Sequence, residues 1–151
     1  MAFVDDYKMV ANFWLRRGDC HTSGGFCEFL EETIERLEGK TIGLVRLDSG
    51  FYDKQVFEFL ESKAISYVVS ARFYEPIQRL ISEQKAWFKL DEGVEITQTE
   101  YQSPLWQKSR RMVIVRQKIS KRPKSSGKQL QLFEGDIELE QYRYSCYNTN
   151  M

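Results

Sequence analysis

The stretch that decides the fold is Thr41-Ile-Gly-Leu-Val-Arg-Leu-Asp-Ser-Gly-Phe51. Its apolar residues form a nearly continuous run that stops on Asp48, and such a run is typical of a strand buried on both faces. From Phe51 to Ser62 the apolar residues recur at helical spacing, which predicts a helix directly after the glycine. A strand followed by a helix in this way indicates an α/β fold, with Asp48 at the carboxyl end of a central strand.

Asp48 then has two interpretations. Open α/β sheets bind their ligands at the carboxyl ends of strands, and a carboxylate at that position suits a hard divalent cation such as Mg²⁺. The same aspartate is equally compatible with a structural role, because Asp is a preferred cap for a following helix. The spacing alone does not separate a metal ligand from a helix cap.

The first half of the chain repeats the alternation of strands and helices. Asp6 to Leu15 predicts one strand buried on much of both faces, and Phe26 to Leu37 predicts a helix with one apolar face. A third strand is predicted from Ser66 to Ala71, and Glu75-Pro76 opens a further short helix, with proline at its favoured first position. This order of elements supports the α/β class.

The second half changes character after residue 85. Strands are predicted at Trp87–Leu90, Val94–Tyr101 and Met112–Ile119, with Asp91-Glu92-Gly93 as a hairpin turn. Tyr142 to Asn148 predicts one more strand near the carboxyl end. This half is therefore expected to be mostly β.

Basic residues cluster in the same half, in a span from Leu105 to Phe133 that contains no Asp or Glu. Such a span can neutralise DNA phosphates, which makes binding salt-dependent, and Trp106 beside it can stack on an unpaired base. By themselves, the residues favour an ordinary solvated strand face followed by a loop. The candidate DNA-binding residues are Lys108, Arg110, Arg111, Arg116, Lys118, Lys121, Arg122 and Lys124.

Composition restricts the remaining classes. The 151 residues suit one domain, and an aromatic content of 14% is typical of a folded chain rather than a disordered one. The net charge is zero, so DNA binding must depend on a local patch. Three cysteines without CxxC spacing and a single histidine argue against a disulfide framework and a zinc site. We expect free thiols in a reducing cytoplasm, since the sequence has neither a membrane span nor a signal segment.

The segment from Arg46 to Phe51, followed by an acidic helix and Ile65-Ser-Tyr-Val-Val-Ser-Ala-Arg72, resembles the middle of a DDE-type transposase from a bacterial insertion sequence. The resemblance covers essentially the whole chain, and its segments occur in the order found in that family. The other segments that carry it are Phe13 to Asp19, Ser23 to Phe26, and Tyr142 to Asn150.

This resemblance implies a partial ribonuclease H-like core with a mostly β insertion in the carboxyl-terminal half. The expected divisions are a core at 1–85, an insertion at 86–136 and a return strand at 137–151. Such transposases hold two divalent ions, here Mg²⁺, about 3.5–4 Å apart with an Asp-Asp-Glu trio. Water attacks first, and the freed 3′-hydroxyl attacks the target strand later. By resemblance, Asp48 is the second catalytic carboxylate and a metal ligand.

The resemblance puts the first Asp of the trio before residue 1 and the Glu after Met151. We therefore expect a transposase core cut at both ends and inactive alone. Its expected partners are insertion-sequence DNA ends and a second copy or a full-length transposase. The alternative is a non-catalytic DNA-binding or transposase-interacting protein that uses the basic span. Arg16, Arg17 and Arg46 are within the range of residues that could reach DNA, but arginines beside strand ends are more often held in surface ion pairs.

Overall fold

A six-stranded mixed sheet and a separate two-stranded sheet organise the computed structural model, which describes residues 1–15, 17, 24–119 and 141–151. The strand order of the larger sheet is β3-β4-β8-β7-β6-β5. The chain divides into two compact units, residues 1–69 with 150–151 (the amino-terminal unit) and residues 70–149 (the β-rich unit). The expected mixed α/β class is confirmed, whereas the ribonuclease H-like assignment remains a prediction.

The chain opens with a hairpin rather than a single strand. Strands β1 (Ala2–Val4) and β2 (Met9–Asn12) pair antiparallel. The strand predicted from Asp6 to Leu15 is present only as β2, and the predicted burial on both faces is wrong, since Met9 and Val10 are exposed. The reason for the hairpin is the polar segment between β1 and β2, where Lys8 takes a φ of 53° and its Nζ lies 2.6 Å from Asp5 Oδ1. Polar residues of this kind favour a turn over a continuous strand.

Helix α1 (Phe26–Arg36) agrees with the predicted amphipathic helix and buries Phe26, Leu30 and Thr33. It starts after Gly25, whose φ of 70° lies in the left-handed region that glycine tolerates. Thr33 joins the helix to the hairpin, since its Oγ1 accepts a hydrogen bond of 3.2 Å from Asn12 Nδ2. The helix and the hairpin are thus packed together within the amino-terminal unit.

The outer face of α1 carries an exposed cluster around Glu32. Arg36 Nε donates to Glu32 Oε1 at 2.8 Å, and Trp14 Nε1 donates to Glu32 Oε2 at 2.7 Å. These hydrogen bonds hold the pKa of Glu32 below its usual value, and the bond from Arg36 has the larger effect. Glu32 therefore connects helix α1 to Trp14 in the segment that follows β2.

A parallel pair of strands joined by a helix forms one edge of the described six-stranded sheet, so the expectation that Asp48 follows a central strand is wrong. Strands β3 (Leu44–Leu47) and β4 (Ser66–Ser70) agree with the predicted strands, and α2 (Lys54–Ser62) connects them. The predicted helix start at Phe51 is wrong, because Ser49–Phe51 forms a short 3₁₀ turn. Helix α2 begins only after Asp53, whose Oδ1 accepts the Gln55 N–H at 2.8 Å and caps the helix.

The packing of α2 defines the two sides of β3. Phe57 of α2 is fully buried, and its ring centroid lies 5.5 Å or less from those of Tyr52 and Tyr67. Val45 and Leu47 of β3 pair with Tyr67 and Val69, so these four residues share the side of the sheet on which α2 packs.

The β-rich unit contains a short helix and four antiparallel strands that agree with the predicted elements. Helix α3 (Glu75–Ser82) buries Ile77 and Ile81. Asp91 and Val94 close the predicted hairpin between β5 and β6. The strands are β5 (Phe88–Asp91), β6 (Val94–Tyr101), β7 (Arg110–Lys118) and β8 (Tyr142–Thr149).

Alternate residues of β7 and β8 build the core of this unit, where Met112, Ile114 and Cys146 are almost completely buried. Burial raises the pKa of the Cys146 thiol to about 12, so the thiol stays protonated at neutral pH. The expectation of free thiols holds for Cys27 and Cys146. No helix of the described residues is long and apolar enough to cross a membrane.

The predicted divisions at 1–85, 86–136 and 137–151 remain a prediction. The two compact units are separated after Val69 instead, and residues 120–140, which make up much of the predicted insertion, lie outside the described part of the chain. The predicted return strand is β8, which stands between β4 and β7 in the strand order.

Replacing Gly93 should test the hairpin turn. Gly93 has a φ of 68°, and an added Cβ would lie 3.7 Å from Lys118 Cβ, so the strain comes from the backbone rather than from crowding. We expect Gly93→Ala to lower the free energy of unfolding by roughly 1 kcal/mol, and Gly93→Asn to cost less because Asn tolerates the left-handed region. Urea denaturation measures both. Gly43→Ala is the control, since Gly43 has open space and no positive φ; equal losses at both glycines would contradict the explanation.

Candidate functional site

Asp48 directly follows the last residue of β3 and is exposed. Its backbone is extended, and its Oδ1 accepts a hydrogen bond of 2.8 Å from the N–H of Gly50. The second oxygen, Oδ2, has no hydrogen-bond partner among the described residues. Asp48 thus caps the 3₁₀ turn, while Asp53 caps α2. The capping role uses one carboxylate oxygen, so the other oxygen remains able to bind a metal ion.

The described residues supply only part of a metal site. A carboxylate oxygen is the ligand type that Mg²⁺ prefers, so Asp48 fits a hard divalent ion. However, residues 1–15, 17, 24–119 and 141–151 contain no group of three His, Cys, Asp or Glu side chains arranged to hold a metal. One carboxylate alone does not form the two-metal site expected from the resemblance.

The side of β3 opposite α2 carries Leu44, Arg46 and Asp48. Successive side chains of a strand alternate, so these three project away from the side shared by Val45 and Leu47. Leu44 is 44% exposed, and Arg46 is exposed as well. Arg46 forms no ion pair or side-chain hydrogen bond with any other described residue. The expectation that Arg46 is held in a surface ion pair is therefore wrong for the part of the chain the structure describes.

Arg110, one of the candidate DNA-binding residues, is internal, and so is the neighbouring Trp106. Arg110 is 5% exposed, and its guanidinium carbon lies 5.0 Å from the ring centroid of Trp106. Trp106 is itself only 8% exposed and packs edge-on against Tyr101. In this conformation neither side chain offers a surface for a base or a phosphate.

Arg116 of β7 lies at the centre of a cluster of side chains from β6, β7, β8 and the segment before β5. Its Nε is 2.7 Å from Glu95 Oε2, and both side chains are mostly buried, at 16% and 28% exposed. Its guanidinium carbon lies 4.1 Å from the ring centroid of Trp87 and 4.4 Å from that of Tyr142. Cation–π contacts on two rings and a charged hydrogen bond make this arginine a structural residue of the β-rich unit.

Three other candidates are exposed: Lys108, Arg111 and Lys118. Arg111 Nε donates to Gln98 Oε1 at 2.9 Å. Strand alternation puts Arg111 on the side of β7 opposite Arg110 and Arg116, so the basic residues do not form one continuous stripe. Lys121, Arg122 and Lys124 lie outside the described residues. The DNA-binding assignment remains a prediction.

A comparison with protein families shows the family to which the chain belongs. The transposase DDE domain family matches the chain over residues 1–150. The chain belongs to this family. No curated protein and no solved structure matches it.

Membership confirms the resemblance carried by the segment around Asp48. Transposases of this family act on DNA, and they generally use divalent metal ions. The strand end that holds Asp48 is thus the candidate site of this transposase domain. Arg46 lies two residues before Asp48 on the same strand, a spacing that is already visible in the sequence.

The Arg116 cluster predicts that lysine cannot replace arginine there. We expect Arg116→Lys to lower the free energy of unfolding by about 1–2 kcal/mol, because an ammonium group loses the flat stacking on two rings. Arg111→Lys, on the other side of the same strand, should change it by less than about 0.5 kcal/mol. Urea denaturation of the two variants measures the difference, and similar losses would show that the cluster is not the cause.

Proposed function

We propose that this transposase-domain chain takes part in DNA transposition and contributes Asp48 as a divalent-metal ligand for DNA strand cleavage and transfer. One observation carries the proposal: in a chain that matches the family over residues 1–150, an exposed carboxylate lies at the end of a parallel strand with Oδ2 not engaged by a described residue. Carboxyl ends of strands are where open α/β sheets bind ligands.

The geometry supports a preorganised ligand. The hydrogen bond from the Gly50 N–H holds Oδ1, which limits rotation of the carboxylate and leaves Oδ2 without a described hydrogen-bond partner. When bound, a pair of divalent ions stabilises the attacking and leaving oxygens of an in-line phosphoryl displacement. Asp48 needs no change in its own position to offer an oxygen to such an ion.

The proposal includes a second polypeptide segment. Since the described residues contain no group of three side chains arranged to hold a metal, we infer that the remaining ligands come from outside the described residues. Inactivity of the chain alone in DNA cleavage is a further part of the proposal. The proposed partners are the DNA ends of an insertion sequence and a second copy or full-length transposase. A non-catalytic DNA-binding role through the basic span is not supported by a specific contact, since Arg110 and Arg116 are internal.

Binding of Mn²⁺ should reveal Asp48 as a ligand. Mn²⁺ is paramagnetic and broadens nuclear magnetic resonance signals close to it. We expect titration with MnCl₂ to broaden the amide signals of Ser49 and Gly50 first, and we expect Asp48→Asn to abolish this selectivity because a neutral amide binds hard cations poorly.

Asp53→Asn is the matched control for that titration. Asn caps as well as Asp, so both variants keep the cap hydrogen bond while each loses one negative charge from the connection between β3 and α2. Asp53→Asn should leave the broadening at Ser49 and Gly50 in place. Broadening that persists in Asp48→Asn would remove the support for a metal ligand at this strand end.

Nicking of supercoiled plasmid tests the inferred inactivity. With Mg²⁺ or Mn²⁺, the chain alone should nick DNA no faster than its Asp48→Asn variant, because one carboxylate cannot hold two ions in place. Gel electrophoresis over time measures the open-circular product. A rate above that of the variant would mean that the chain carries a complete site.

A further inference from the structure

We propose that Arg46 binds a phosphate of the DNA strand next to Asp48 and so acts as a DNA-positioning residue of the candidate site. This inference rests on the proposed function, because it assigns Arg46 a part in the same site. It concerns the exposed side of β3 formed by Leu44, Arg46 and Asp48, which we call the open side of β3.

The first support is the spacing. Arg46 and Asp48 are two residues apart on extended backbone, so their side chains project to the same side with Cα atoms about 6.6 Å apart. An extended arginine side chain reaches across a distance of this size. A phosphate held beside the carboxylate of Asp48 would therefore lie within reach of the guanidinium group.

The second support is the absence of a competing partner. In the amino-terminal unit, Lys8, Arg36, Lys54 and Lys63 each form an ion pair with a carboxylate, whereas Lys40 in a loop forms none with a described residue. Arg46 forms none with the described residues, although it lies on a regular strand rather than in a loop. An exposed cation without a protein partner, fixed beside a carboxylate on a rigid element, is suited to an external anion.

The third support is the setting of the side chain. Arg46 pairs with Val68 of β4, shares its side of β3 with Leu44, and is exposed. Arginine also presents parallel N–H groups that match two phosphate oxygens, which a lysine cannot do. These features favour a phosphate ligand over a diffuse interaction with solvent ions.

DNA binding in EDTA isolates this role from metal binding. Fluorescence anisotropy with a labelled short duplex at low salt compares the wild-type chain with Arg46→Gln and Lys40→Gln. Both variants lose one positive charge. Lys40 is an exposed cation of the same unit that forms no ion pair with a described residue and does not lie on the open side of β3. We expect Arg46→Gln to weaken binding about five- to tenfold more than Lys40→Gln.

The salt dependence provides a second readout. Loss of one phosphate contact should reduce the slope of log K against log salt by about 0.9 in Arg46→Gln. Arg46→Lys should keep the slope and weaken binding by about two- to threefold, because the charge remains and the paired N–H groups are lost. Unchanged thermal unfolding of all three variants would show that the fold is intact.

The outcomes separate this inference from the proposed function. Equal affinities and slopes for Arg46→Gln and Lys40→Gln would overturn the role of Arg46 while leaving the Mn²⁺ result at Asp48 untouched. The same conclusion follows if the wild-type chain does not bind the duplex at low salt, in which case a polypeptide carboxylate is the better partner for Arg46. Loss of Mn²⁺ selectivity in Asp48→Asn together with weaker DNA binding in Arg46→Gln supports both proposals.

Discussion

The packing of α2 against the parallel pair β3 and β4 is the constraint on which the candidate site depends. Phe57 lies against Tyr67, so the side of β3 that carries Val45 and Leu47 is committed to the core. Strand alternation then leaves Leu44, Arg46 and Asp48 on the other side. A shift of register by one residue would bury Arg46 and Asp48 and expose the apolar pair, which is energetically unfavourable. The site is therefore fixed by the same burial that stabilises the amino-terminal unit.

The two interpretations of Asp48 turn out to be compatible. A carboxylate has two oxygens, and the turn requires only the one that accepts the Gly50 N–H. Helix α2 does not need Asp48 at all, because Asp53 caps it. The extra 3₁₀ turn between strand and helix separates these tasks, so a cap and a prospective metal ligand occupy one side chain without conflict.

The basic residues illustrate how poorly charge alone predicts a surface. The span from Leu105 to Phe133 has many cations and no acidic residue, yet β7 turns Arg110 and Arg116 inward and Arg111 outward. The inward arginines are stabilised by Trp87, Trp106, Tyr142 and Glu95, most of them distant in sequence. In contrast, Arg46 lies outside any run of basic residues, and the described structure leaves it exposed and without an ion pair.

Most elements of the described chain, and the family to which it belongs, follow from the sequence, because apolar periodicity and the order of motifs are local properties of the chain. The sequence placed α1, β3, β4, α3 and the strands of the β-rich unit, and it identified Asp48 at a strand end. It missed the opening hairpin and the late start of α2, where short polar turns override a longer apolar pattern. Only the tertiary structure decided which side of each strand is buried. That choice depends on contacts between residues far apart in sequence, and it separates Arg46, which is exposed beside Asp48, from Arg110 and Arg116, which are enclosed by aromatic rings.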